Sequence, residues 1–430
     1  MADIERENRK QELRRRVVDT KELLQQEAEQ AEEKGKRRRS RSRRRLLVFL
    51  VVVLVLGALV AGAVYMMKRP YTGFSQNWRN SFTGENGVSE SDYEDYEIFG
   101  DGFLKVTRDG ATYIDSSGKT IWNQSYEMNS PYVSISGDYC AIADQGKTAI
   151  YIMNKTGTTG QAETNLPITK ISVAGTGVTY ALLEDSKASY ITVFSKEGAA
   201  LDISIKSVLD GDGYPVDIAV SPDGTELIAS FASIENGTIQ NKVIFYNLSE
   251  IGQNAGSNRV VGGFTDDFSG HLAGRVHFSD DTHAQAFYDG GIAFFSTKVL
   301  TSPELSQKVE IEQTIQAITY ADDYIGIITD NSDSETSADP YMLTVYRLNG
   351  QTVFSTPFQL NYTNFDIDQD RVLVYNNTTL QLYDMSGTLK YSGNIDTSIS
   401  RARVAHGMKN PLGLDLLIGS AGAMESVKLK

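Results

Sequence analysis

A single cysteine, Cys140, stands in 430 residues, so no intramolecular disulfide can form and the fold must hold by burial and hydrogen bonding. It sits in the alternation Tyr139-Cys140-Ala141-Ile142-Ala143, which predicts a buried, inert thiol rather than a nucleophile. Tryptophan occurs only at Trp78 and Trp122, and histidine only at His271, His277, His283 and His406. No Gly-x-Ser-x-Gly elbow or phosphate-cradling loop stands near His406, so the sequence names no catalytic residue. Long apolar runs are absent except for one, and basic charge is scarce beyond residue 45. Residues 1–45 carry 16 Lys and Arg against 10 Asp and Glu, leaving 25 against 45 for the rest, a balance of −20. An acidic surface of that size argues against nucleic acid as a partner.

The one apolar run, 46–67, is uncharged and long enough to cross a bilayer. About twenty helical residues match a ~30 Å hydrocarbon core. Its N-terminal flank holds Lys36, Arg37, Arg38, Arg39, Arg41, Arg43, Arg44 and Arg45; its far flank holds Lys68 and Arg69. The positive-inside rule then predicts a cytoplasmic tail (1–45), a transmembrane helix (46–67), a linker (68–92) and an extracytoplasmic domain (93–430). Ala61-Gly62-Ala63 has the form of a signal-peptide cleavage site, but the run exceeds a signal core and favours a retained span. Residues 3–33 predict a helix with Leu13, Val17 and Leu24 on one stripe, and the Arg-rich segment 36–45 is placed to touch anionic lipid head groups.

From residue 93 the chain reads as short alternating strands with turns of Gly, Asn, Asp and Ser. A strand leading to a glycine turn recurs as Ala111–Ile114 to Gly118, Ala149–Ile152 to Gly157, Tyr190–Val193 to Gly198, Leu343–Tyr346 to Gly350 and Leu380–Tyr383 to Gly387. Weaker copies are Val243–Tyr246 to Gly252, and Ile292–Phe295 without a glycine. A second signature, a strand pair about an acidic turn, keeps the same beat through Asp138, Asp223, Asp280 and Asp322. A unit of about forty residues with four short strands is a propeller blade. The expected fold is therefore an all-β propeller, eight blades preferred over seven. The eighth combines 402–405, 414–418 and 426–429 with a ring-closing strand supplied from before residue 93.

Ser221-Pro222-Asp223-Gly224 resembles the hairpin turn of WD40-like bacterial propellers, and Gly118-Lys119-Thr120-Ile121-Trp122 resembles a blade end in quinoprotein-like propellers. The layout of basic tail, single span and propeller resembles a bacterial membrane-protein family of unknown function. The resemblance implies a fold and a location, not an activity.

Asp366, Asp368 and Asp370 open like a calcium loop, but Arg371 stands where such a loop needs Gly and Asn377 where it needs Glu, so turn chemistry accounts for them. The spacing of His271, His277 and His283 suggests metal, yet no further ligands converge on them. A bound quinone needs aromatic stacking and calcium, which two tryptophans and no calcium loop do not supply. No cofactor is therefore expected.

Loop length is the remaining clue. If acidic and glycine turns share one rim, longer loops at 207–213, 231–241, 251–271 and 330–340 share the other, and binding resides on such loops. The candidate partner-binding residues are Asp210, Asp212, Asn236, Asp266, Asp267, Asp330, Asp333 and Glu335. The expected role is a non-enzymatic binding or scaffold module for a protein or a cell-envelope polymer. The alternatives are a hydrolase of envelope glycans using paired carboxylates, and a sensor coupling an outside ligand to the tail.

Overall fold

One local solution repeats along the chain. Asp115 Oδ1 accepts hydrogen bonds from the amides of Ser117 and Lys119 at 2.9 and 3.0 Å, and Gly118 turns the chain at φ 79°. Asp384 does the same for Ser386 and Thr388 at 2.9 and 3.1 Å, with Gly387 at φ 76°. An aspartate that satisfies its own turn, followed by a residue able to adopt positive φ, reverses the strand at little cost.

The computed structural model describes residues 69–82, 93–256, 258–334, 337–405 and 413–430, a helical stretch at 48–62, and scattered positions of the tail. The chain divides into two units, 1–69 and 70–430. In the first, the described positions up to residue 65 are helical, and those from 48 to 62 are exposed. No helix among the described residues is long and apolar enough to cross a membrane; positions 46, 47, 63, 64, 66 and 67 of the expected span lie outside them.

The second unit is eight four-stranded antiparallel sheets. Seven take their strands in chain order. The eighth sets Phe74–Ser81 beside the last strand, Ala423–Leu429, so the start of the unit completes its final blade. We number the blades one to eight from Glu94. Their innermost strands are Glu94–Phe99, Pro131–Ser136, Ile168–Val173, Tyr214–Val220, Ala273–Asp280, Ile315–Ala321, Asn364–Asp368 and Arg401–Val404, and they line the central channel.

Burial explains the ring. The apolar residues gather into eight clusters, each between two neighbouring blades, because a blade has two faces and needs a partner on both. Among the described residues, the cluster between blades three and four holds thirteen buried residues, whereas the closing one between blades eight and one holds five: Tyr96, Phe103, Ile114, Leu417 and Met424. Polar contacts supplement that interface. Tyr96 OH donates to Ser420 O at 2.9 Å, and Arg403 Nη1 donates to the carbonyls of Gly100 and Gly102 at 3.0 Å each.

An innermost strand has one unpaired edge, and side chains of the preceding blade cap its amides. Ser134 Oγ accepts from Val173 N and Ser172 Oγ from Val220 N, both at 3.0 Å; Asp217 accepts from Val276 N at 2.9 Å and Asp368 from Val404 N at 2.8 Å. This corrects the reading of Asp366 and Asp368. They lie on the innermost strand of blade seven and face blade eight, and of the three aspartates only Asp370 belongs to the turn.

Candidate functional site

Antiparallel order divides the loops between two rims. Connections from first to second and third to fourth strand share one, the turn rim. Those from second to third strand, and from blade to blade, share the other, the loop rim.

The loop rim collects every described candidate residue. Asp210 and Asp212 occupy the connection from blade three to four, where Asp212 Oδ2 accepts from Val208 N at 2.8 Å. Asp266 and Asp267 form a 3-10 turn between blades four and five, and the Asp267 carbonyl accepts from Lys308 Nζ at 2.9 Å. Asp330 ends a strand of blade six and accepts from Ser332 Oγ at 2.7 Å and Ser332 N at 2.9 Å, which hold its carboxyl below the usual range; Asp333 follows in the turn. Asp212 and Asp330 thus shape their loops, while Asp210, Asp266 and Asp333 extend into solvent. Glu335 lies outside the described residues, as does His406.

Two loop assignments change. Residues 231–241 are not a loop but the end of a hairpin, Glu226–Glu235 paired with Thr238–Asn247 in unbroken register. Asn236 and Gly237 turn it at φ 52° and 79°, a type I′ geometry. The strands outrun the other blades and carry a cross-strand pair, Ile234 and Ile239, that is 78% and 45% exposed. Residues 251–271 divide between rims. The short helix Glu250–Ala255 belongs to the turn rim, which is therefore not uniformly short, and only 265–272 joins the loop rim.

A cavity of about 280 Å³ lies between blades two and three, lined by Glu163, Asp185 and Tyr190 together with Leu166, Leu183 and Phe194.

The three described histidines do not converge. His271 precedes the first strand of blade five and pairs with Asp289 at 2.8 Å, while His283 sits at the turn rim against Asp280, also at 2.8 Å. His277, in the channel, stacks on Tyr320 with ring centroids 3.6 Å apart, and burial with the Arg275 charge lowers its imidazole to about 3. Among the described residues no group of three or more His, Cys, Asp or Glu is placed to hold a metal ion. Cys140 is buried and its thiol is raised by desolvation.

The channel holds charges that, Asp366 apart, sequence reasoning did not single out. Lys170 Nζ meets Asp217 Oδ1 at 2.7 Å, with Arg275 Nε 3.8 Å from the other oxygen. Further around the ring, Arg401 pairs with Asp366 at 2.8 Å and Glu97 at 3.6 Å, and Tyr375 OH donates to Asp366 at 2.6 Å. Polar residues within the alternating innermost strands were the available signal. Their pairing depends on which blades adjoin.

These features define an all-β, WD40-like propeller of eight blades with a charged channel and one loop-bearing rim. The chain belongs to the family of unknown function DUF5711, whose model matches residues 68–429. No curated protein matches it. Among solved structures it is similar to a eukaryotic initiation factor (TM-score 0.49, 11% identity, covering 82% of this chain and 91% of that one). It is also similar to AztD of Citrobacter koseri (0.46, 7%, 71% and 87%) and to the Pan2 WD40 domain of Neurospora crassa (0.40, 10%, 84% and 96%).

Proposed function

We propose that the chain is a single-pass membrane protein displaying its propeller outside the cytoplasm as a non-enzymatic binding or scaffold module. On this reading the loop rim engages a protein or a cell-envelope polymer. One observation carries the binding surface: a hairpin in unbroken register holds Ile234 and Ile239 out in water at the rim that also gathers Asp210, Asp266 and Asp333. Exposed apolar side chains on a rim that also carries charge suit partner contact.

The anchor is supported by the helix 48–62, whose apolar side chains are exposed all round, Leu54 at 73% and Val48 at 63%. A helix apolar on every face is stable in lipid and not in water. The Arg-rich segment 36–45 supports a cytoplasmic tail in contact with anionic head groups.

The test uses the blade-six loop, whose base is closed by Asn331 N donating to Pro340 O at 2.8 Å. Replacing 332–338 with two glycines leaves the thermal unfolding of the intact protein unchanged and removes partner capture in a crosslinked pull-down from its own membrane. Undiminished capture rejects this loop as part of the surface. Release of sugars from purified envelope polysaccharide points instead to a glycan hydrolase.

A further inference from the structure

The channel group built around Asp217 is left unused by the rim. Asp217 is buried, and both of its oxygens are committed: Oδ1 accepts from Lys170 Nζ at 2.7 Å, and Oδ2 accepts from Val276 N at 2.9 Å and lies 3.8 Å from Arg275 Nε. Two cations from blades three and five therefore share a single carboxylate from blade four.

The other groups acting on the Arg275 guanidinium are phenols. Tyr320 OH accepts from its Nη1 at 3.3 Å, and Tyr132 of blade two acts on it electrostatically. His277 adds no charge there, since burial and the Arg275 guanidinium keep its ring neutral. This part of the channel therefore has a surplus of one positive charge within a chain of net charge −14. It is also open to solvent, the Arg275 side chain being 51% exposed and that of Lys170 21%. Low-dielectric walls around a solvent-reached charge focus its field toward an anion.

We propose that this part of the channel is a binding site for a carboxylate, held by Arg275 and Lys170 with the hydroxyls of Tyr132 and Tyr320 as further donors. A monoanion matches the surplus of one charge, and a planar carboxylate matches the guanidinium fork. A phosphate dianion leaves one negative charge uncompensated beside Asp217. The carboxylate is either that of a small free acid or the C-terminus of a peptide. The site is independent of the loop rim, so its failure leaves the rim reading standing.

The experiment titrates the full chain in non-ionic detergent, at constant ionic strength in chloride, and reads Tm and calorimetric heat. The probes are propionate, N-acetyl-trialanine with a free C-terminus, the same peptide amidated, and inorganic phosphate. The expected result is saturable stabilisation by a free carboxylate and none by the amide. Propionate binding as well as the acid peptide identifies a small acid; the peptide alone binding identifies a chain terminus. Arg275→Gln weakens the binding by about tenfold or more, the loss of a charge-assisted pair. Tyr320→Phe, which keeps the ring on His277, weakens it a few-fold and checks the assignment if the arginine variant folds poorly. No response to either carboxylate overturns the proposal, as does tighter binding of phosphate. Undiminished binding in both variants does the same.

Discussion

Arg401 Nη2 lies 2.8 Å from Asp366 Oδ1, and this ion pair joins the last blade to the one before it. The aspartate side chain is 5% exposed, and Tyr375 OH donates to its second oxygen at 2.6 Å. Arg401 also reaches Glu97 of blade one at 3.6 Å, so one guanidinium spans the closure from both sides. Burial raises the Asp366 carboxyl even against the opposing Arg401 charge, which marks the pair as costly to desolvate.

Breaking that pair from one side should therefore be worse than removing it. Arg401→Met leaves a buried carboxyl without its cation and is expected to cost about 3–5 kcal/mol. Adding Asp366→Leu should recover most of the loss. A double-mutant cycle on urea unfolding checks this, and additive losses contradict it.

Glu226 supplies a pH dependence. It is 1% exposed, and burial, with Asp223 and Asp281 nearby, raises its carboxyl to about 7. A carboxyl that binds its proton more tightly when folded contributes stability below its unfolded value, and that contribution is lost as pH rises toward 7. Glu226→Gln, a mimic of the protonated form, should stabilise the protein by about 2–3 kcal/mol at pH 8 and leave it unchanged at pH 4. Unfolding of both proteins at the two pH values measures the difference. An equal effect at both contradicts the assignment.

Ring closure rests on a second buried acid. Gln76 Nε2 donates to Glu425 Oε2 at 2.9 Å, with Arg79 Nη1 3.7 Å from the same oxygen, and Glu425 is 3% exposed. Replacing Gln76 and Arg79 with alanine strips a buried carboxylate of these partners and should cost about 1–3 kcal/mol. Thermal unfolding and gel filtration test it: the variant should melt earlier and associate through the uncovered strand edge. An unchanged melt shows that the closing strand is held by its backbone alone.

Much of this architecture is legible in the residues. Asp115 with Gly118 and Asp384 with Gly387 encode the same turn locally, so a period of about forty residues appears without tertiary information. The closing strand is readable because the last blade lacks one. The hairpin at Asn236-Gly237 escapes, although that dipeptide is a strong type I′ signal. Its strands extend past the blade and lose the alternating burial that marks a strand. The channel pairs escape for a different reason. Lys170 and Asp217 are 47 residues apart on neighbouring blades, and only the closed ring makes them adjacent. Alternation shows that a side chain leaves the sheet, not what it meets.

The proposed binding role of the loop rim is tested most directly by photo-crosslinking at two sites of the intact protein in living cells. A crosslinking residue at Asn236 marks the hairpin tip on the loop rim, and one at Ser117 marks an exposed turn on the opposite rim. The expected result is a discrete adduct with an extracytoplasmic protein or envelope polymer from position 236 and none from position 117. Adducts with cytoplasmic proteins from position 236, or a discrete adduct from 117 alone, contradict it.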